Sequence, residues 1–403
     1  MKHQPPRLTR ALPGARGVYK QRPEDFLVEE QPAYEPCGEG DHTYFQVQKR
    51  ALTTLDAVGL VATALGVAPR AIGYAGLKDS QAITRQWMSV EHIDPERLSA
   101  FTHPKLEILK VTRHGNKLRT GHLRGNHFAI KLRDVPPSDV PNLEAVLAVL
   151  ERRGVPNYFG EQRFGARGDG WAIGRALLRN QPAEAVALVC GRPNEFDHGP
   201  VKRARELFDE GSFEESAKTW PGGFRDSARL ARAMVRAKGK PARALRAMPR
   251  NLQRFFVSAY QSHLFNLVVA DRIDELDTLQ VGDLAYMHSK GAVFRVEDLD
   301  AEQPRAEAFE ISATGPLFGR RMTRASGAPG ELEQRIEEAE LAGGELERRG
   351  PLAWQGARRP LRVPLAAPEL EVGVDDVGAF CALRFGLPPG SYATGVLAEL
   401  LRS

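Results

Sequence analysis

Apolar and polar positions change their period several times along the chain, and each change marks an element. Residues 18–30 read as an extended opening segment and residues 43–47 as a second short strand. The period then becomes helical. Thr53 and Asp56 have the spacing of a capping box, and Leu55, Val58, Val61, Ala62 and Leu65 recur on one face until Gly66 and Pro69 stop the run. Residues 72–76 predict a strand entering a tight glycine turn. Two more strands are predicted at 106–112 and 127–132, joined by a glycine-rich basic connection at 115–125. A helix over 142–152 follows, with Leu143, Val146, Leu147 and Leu150 on its apolar side.

Gly154, Pro156 and the run Tyr158-Phe159-Gly160 break this pattern and predict a domain boundary. From there to about residue 306 the chain reads as mainly helical, with long helices at 172–179, 201–210 and 252–273. A hairpin is predicted over 286–296, turning at Ser289-Lys290-Gly291. Gly315-Pro316-Leu317-Phe318-Gly319 reads as the second boundary, and a charged helix at 331–341, a strand at 379–385 and a closing helix at 392–401 complete the chain. Since single cores stop growing at roughly 250–300 residues, 403 residues predict two domains.

Composition narrows the function classes. No run of ~18 apolar residues is present to span a membrane, and the first residues lead into a polar segment without the apolar stretch of a secretory signal, so a cytoplasmic protein is expected. Cys37, Cys190 and Cys381 are too few and too far apart for a disulfide framework or a paired-cysteine zinc site, and are read as reduced packing residues. The histidines form no metal-binding motif, so no metal is expected. There is no phosphate-binding G-x-x-x-x-G-K-[ST] loop and no G-x-G-x-x-G after a strand.

The net charge of +5 is concentrated in two tracts. One includes Lys105, Lys110, Arg113, Lys117, Arg119 and Arg124; the other runs from Lys238 through Lys240, Arg243, Arg246 and Arg250 to Arg254. Such tracts suit a phosphate backbone, and equally suit solvated basic faces. Taken alone they leave open a non-catalytic RNA-binding protein, and a nucleotide-cofactor enzyme such as a methyltransferase is a third class.

The segment Gly76-Leu77-Lys78-Asp79-Ser80-Gln81-Ala82-Ile83-Thr84-Arg85-Gln86 changes that balance. A carboxylate just beyond a glycine turn, beside a lysine, is set up to stay ionised as a nucleophile or base; an ordinary turn aspartate has the same look. The segment resembles the catalytic motif of the pseudouridine synthase D (TruD) family, G-x-K-D-x-x-A-x-T-x-Q. Other pieces are similar to that family in its order: Lys20, Asp25, Phe26, Val28 and Glu29; Gly125-Asn126-x-Phe128; Asn157-Tyr158-Phe159-Gly160-x-Gln162-Arg163-Phe164-Gly165; Ser258-Ala259-Tyr260-Gln261-Ser262; Gly315 to Gly319; and Leu387-Pro388-x-Gly390-Ser391-Tyr392-Ala393-Thr394.

The resemblance implies a mixed α/β (α+β) fold: a pseudouridine-synthase catalytic domain with an antiparallel sheet, from residues 1–153 and 307–403, interrupted by a largely helical α/β insertion at 154–306. It implies a tRNA pseudouridine synthase, an isomerase acting on uridine-13 of tRNA without metal or organic cofactor; a monomer is expected. Asp79 matches the family's catalytic aspartate, Phe26 and Asn126 its uridine pocket, and Lys20 a basic residue near the carboxylate. Tyr392 stands where phenylalanine is usual, adding a hydroxyl that needs a partner. Lys117, Arg119 and Arg163 are expected to contact RNA. Phe26 is open between pocket wall and core, and Phe128 reads as core. Ser258 and Ser262 lack an identifiable base and are not expected to be nucleophiles.

Overall fold

A computed structural model describes residues 5–402 apart from 342, 344, 345, 347–349 and 351. The chain forms β1 (Phe26–Pro32), β2 (His42–Arg50), α1 (Thr54–Leu65), β3 (Gly73–Tyr74), β4 (Ile83–Glu91), α2 (Pro95–Ser99), β5 (Leu106–His114), β6 (Leu123–Arg133), α3 (Val140–Arg153) and β7 (Val155–Pro156). The capping box of α1 is present: Thr53 accepts from the Asp56 amide and Asp56 accepts from the Thr53 amide. Gly66 ends α1 with φ +70, and its amide reaches the Ala62 carbonyl.

The buried face of α1 differs by one position from the expected one. Leu55 is 59% exposed, and Thr54 turns inward instead because its hydroxyl donates to Gln86 Oε1 at 3.0 Å. Ala57, Val58, Val61, Ala62 and Leu65 then pack on Phe45, Val47 and Met88.

The next stretch is built from α4 (Gly170–Leu178), α5 (Pro182–Cys190), α6 (Gly199–Asp209), α7 (Phe213–Thr219), α8 (Arg225–Arg236), α9 (Pro241–Ala244) and α10 (Arg250–Asp271), then β8 (Leu284–Met287), β9 (Val293–Arg295), α11 (Leu299–Glu307), β10 (Ile311–Leu317), α12 (Gly327–Glu340) and β11 (Ala357–Pro360). Its sheet has the order β11-β10-β8-β9. The expected boundary at 307 and the glycine-proline run after it are corrected here. Gly315 and Pro316 lie in β10, an inner strand, where a Cβ on Gly315 would come within 2.9 Å of Leu361 and 3.1 Å of Phe265. The glycine permits close packing and marks no linker.

The chain returns through β12 (Arg362–Val363), which pairs with β7, to β13 (Ala366–Asp375), β14 (Gly378–Leu387) and α13 (Ala393–Leu400). Two compact units result. One contains Pro156–Arg362; the other joins Arg7–Val155 to the stretch from Val363 onward. The second unit carries a sheet of order β13-β14-β6-β1-β4-β2-β5, with β3 added beside β4. Its pairings are antiparallel except β1 with β4. The fold class is therefore mixed α+β, as expected. None of the three cysteines is bonded to another. Among the described residues no helix is long and apolar enough to cross a membrane.

Candidate active site

Residues paired across a ladder project to the same face, and alternate residues of one strand share it. On this rule Phe26, Val28 and Glu30 of β1, Asn126 and Phe128 of β6, Thr84 and Gln86 of β4, and Lys49 of β2 all point to one side of the sheet. The loop from Gly76 to Ala82 runs over that side, and polar groups from beneath fix its backbone. Lys49 Nζ donates to the Asp79 carbonyl at 2.9 Å and to the Leu52 carbonyl at 2.5 Å. Gln86 Nε2 donates to the Gly76 carbonyl at 3.3 Å, and the Lys78 amide donates to Thr54 Oγ1 at 2.8 Å.

Lys78 is not the partner of Asp79. Its ammonium pairs with the buried Glu30 carboxylate at 2.6 Å. Gly76 packs closely beside that pair, since a Cβ would lie 3.1 Å from Lys78 Nζ and in ordinary contact, 3.5 Å, with Glu30 Oε2. The motif residues around Asp79 thus each have a local structural role. Gly76 leaves room for the ion pair, Lys78 anchors the loop, Ala82 is fully buried, and Gln86 ties the turn to the N-terminus of α1.

The partner of Asp79 is Lys20, whose Nζ lies 2.5 Å from Oδ2. Lys20 takes the left-handed conformation, φ +60, and its ammonium also sits 4.2 Å from the centroid of the Phe26 ring. The Gln81 amide donates to Asp79 Oδ1 at 3.3 Å. Burial pushes the Asp79 carboxyl up, but the Lys20 hydrogen bond and charge and the Gln81 and Ser80 amides outweigh it, so the group titrates below the usual carboxylate range. Asp79 remains 30% exposed at its side chain, enough to meet a substrate. Burial, opposed by Asp79, lowers Lys49 to about 8, and burial raises Glu30 against the pull of Lys78.

Phe26 is buried and meets Phe128 edge-on at 6.3 Å, while Phe128 stacks on Phe385 at 5.4 Å, a core position as expected. Phe26 belongs to this core, and the ammonium that holds Asp79 lies over its ring. Asn126 pairs with Glu30 on one side and with Leu387, the last residue of β14, on the other. Its Oδ1 is buried and accepts no hydrogen bond among the described residues. Tyr392 is the half-buried N-cap residue of α13, five positions beyond Leu387.

The candidate RNA contacts do not form one group. Arg119 is exposed, whereas Lys117 is half-buried and donates to the Arg70 carbonyl at 2.8 Å. Arg163 belongs to the other unit, where it donates to Ser262 Oγ at 3.1 Å and to Ser258 Oγ. The two serines therefore hold an arginine. Glu30, Lys49 and Thr54 are site residues that the sequence does not single out. The signal for them is strand parity: Glu30 follows Phe26 and Val28 on the inner face, and Lys49 follows Phe45 and Val47, whereas Glu29 points to solvent.

The model of the family described as "tRNA pseudouridine synthase D (TruD)" matches residues 7–400. The chain belongs to the TruD family. Among relatives, a tRNA pseudouridine synthase D of Geotalea daltonii is 45% identical over 401 residues, covering 99% of this chain and 100% of the relative. One from Geobacter metallireducens is 46% identical, with 98% and 97% covered. The crystal structure of the putative tRNA pseudouridine synthase D of Methanosarcina mazei superposes with a TM-score of 0.83 at 28% identity, over 99% of this chain and 96% of that one. The pseudouridine-synthase fold of the TruD family is thus the fold of this chain, and Asp79 of the Lys20–Asp79 pair sits in the segment that resembles the family's catalytic motif.

Proposed function

We propose that this chain isomerises uridine-13 of tRNA to pseudouridine, with Asp79 as its catalytic carboxylate. Family membership carries the coarser statement, a tRNA pseudouridine synthase and so an isomerase. The observation that supports the role of Asp79 is the Lys20–Asp79 pair on a loop whose backbone is tied down by Lys49, Gln86 and Thr54, while the choice of uridine-13 rests on the family resemblance alone. A carboxylate kept ionised and immobile is what the reaction requires of the protein.

The C1′–N1 bond of the uridine breaks, the detached uracil turns, a C1′–C5 bond forms, and the proton lost from C5 is matched by one taken up at N1, so that no atoms are gained or lost. Three routes suit a single carboxylate: attack on the sugar, attack on the ring, or removal of a sugar proton on a glycal path. In each, ionised Asp79 acts first and Lys20 stabilises its charge. The detached base must be retained meanwhile. The orphaned Asn126 Oδ1 can accept from the uracil N–H, and the rings of Phe26 and Tyr392 offer apolar walls. A uridine stacked in folded RNA cannot reach a carboxylate on this sheet face, so the nucleotide is taken everted, with Lys117, Arg119 and Arg163 among the groups proposed for RNA contact. The reading has the enzyme work in the cytoplasm as a monomer, with no added metal or organic cofactor.

Asp79→Asn tests it. Dialysed protein with tRNA as sole added substrate is expected to form pseudouridine at one position, and the variant to lose turnover while tRNA affinity stays within a few-fold. A variant that still turned over would remove Asp79 from its role, and dependence on a methyl donor would point to a different enzyme class.

A further inference from the structure

The unit containing Pro156–Arg362 has a concave basic feature, remote in sequence from Lys20 and Asp79. A groove of about 780 Å³ lies between α7, the turn at Trp220 to Gly222, and α8. Arg225, Arg232 and Arg236 of α8 line it. The opposite side of α8 is buried through Leu230, Ala231 and Met234, so packing turns these arginines outward, with Ala228 between them in the groove wall.

A solvated helix face is the ordinary fate of such a row. Two observations separate this one from it. Neighbouring cations already have carboxylates: Arg229 pairs with Asp226 at 3.4 Å, Lys218 with Glu214 at 2.8 Å, Arg205 with Asp197 at 3.1 Å, and Arg192 with Glu184 at 2.5 Å. Among the described residues Arg225, Arg232 and Arg236 form no ion pair, and the one acid in the groove wall, Glu214, is held by Lys218. The second is shape. The three guanidiniums share a concave wall with Trp220 and with Val235, which is 41% exposed, so a bound group meets apolar surface as well as charge.

We infer that this groove is a second RNA-binding site, in which Arg225, Arg232 and Arg236 grip the ribose-phosphate backbone. The twelve residues of α8 carry the row across roughly 16 Å. A nucleic-acid strand repeats its charge every few ångströms, so the row meets several consecutive phosphates. Guanidinium forks match phosphate oxygens bidentately, and the groove volume lies within the range of nucleotide-sized ligand sites. This inference rests on the tRNA reading and adds a surface to it.

The test compares two double charge reversals in the full chain, each changing net charge equally. One is Arg232→Glu with Arg236→Glu; the control is Lys202→Glu with Lys290→Glu, at two exposed lysines of the same unit. Affinity for a tRNA transcript is measured between about 50 and 200 mM salt, where phosphate contacts dominate. The groove variant is expected to bind at least ten-fold more weakly than the control, with the slope of log affinity against log salt reduced by about 2, or roughly one per lost phosphate contact. Arg232→Gln with Arg236→Gln should give a smaller loss of the same sign, with the unfolding midpoint of wild type. Equal losses in groove and control variants would mean bulk charge and would overturn the site; competition by polyglutamate as effective as that by RNA would overturn the RNA assignment. An enzyme that makes pseudouridine with groove-independent affinity sinks this inference alone. Groove-dependent tRNA binding without any pseudouridine would sink the proposed reaction and spare the groove.

Discussion

Replacing Lys49 by Met separates what holds Asp79 in place from what holds the protein together. Lys49 is fully buried, its partners are the Asp79 and Leu52 carbonyls, and burial lowers it to about 8 from an ordinary 10.5. Carrying the proton at neutral pH therefore costs roughly 3 kcal/mol, at 1.36 kcal/mol for each tenfold change. Methionine removes that cost but leaves two buried carbonyls without a donor, a penalty of about 1–3 kcal/mol each. The opposing effects largely offset each other, so stability at pH 7 is expected to change by no more than about 3 kcal/mol. Turnover has no such compensation. With its carbonyl released, the Asp79 loop shifts, and a displacement of about 1 Å costs up to 100-fold in rate. We expect kcat, followed as tritium release from C5-labelled uridine in tRNA, to fall 10- to 100-fold with tRNA affinity unchanged. A kcat within two-fold of wild type, in a folded variant, would refute the idea that Lys49 positions the loop. The wild-type enzyme carries a second signature. A lysine lowered on folding binds its proton less tightly in the folded state, so its cost disappears as pH rises from about 8 toward 10.5, and the Lys49→Met stability difference should move against the variant over that window.

Lys20→Met removes the hydrogen bond and charge that do most to depress Asp79, leaving burial opposed only by the Gln81 and Ser80 amides. The acid limb of kcat/KM, expected below the usual carboxylate range in wild type, should move to higher pH in the variant, and an unmoved limb would exclude Lys20 as the group that keeps Asp79 ionised. Asp25 is fully buried and bound by Arg133 through two bonds of 2.6 and 2.8 Å. Asp25→Ala should destabilise by about 1–3 kcal/mol in urea unfolding at pH 7, because two bonds to a buried guanidinium are lost while Asp375 still accepts two others from Arg133. Burial raises the Asp25 carboxyl, yet Arg133 brings it below its ordinary value; its stabilisation is therefore present above the unfolded pKa and lost as pH falls through the folded one, so the penalty should shrink with acidification.

What is legible in the sequence is what short-range rules encode. The cap and stop of α1, the apolar face of α3 and the β8–β9 hairpin follow from residues a few positions apart. Strand β4 escapes such rules although it lies inside the most informative motif. Its residues are buried on both faces from Gln86 to Val90, so the alternation that announces a half-buried strand is missing. Strand β13 escapes them for the opposite reason: an exposed sheet edge with Val372 and Val374 largely in solvent has no apolar face to display. The expected return to the first unit falls too early because a glycine and proline inside β10 look like a linker until their packing partners are known. For the site, resemblance identifies Lys20 and Asp79, whereas Glu30 and Lys49 need the register of β1, β4 and β2.

The place of β14 bears on how the protein comes into being. It lies between β13 and β6, and the bridge from Arg133 to Asp375 spans 242 positions. During synthesis β6 has its β1 side satisfied early, but its other edge stays open until nearly the whole chain has left the ribosome. Loop closure over that distance slows the final docking. An independently stable insertion would shorten the wait by bringing Val155 and Val363 together before the last strand arrives. Chains stopped before residue 378 would keep an unpaired inner strand, with Phe128 deprived of Phe385, and should be substrates for chaperones rather than partly active enzymes.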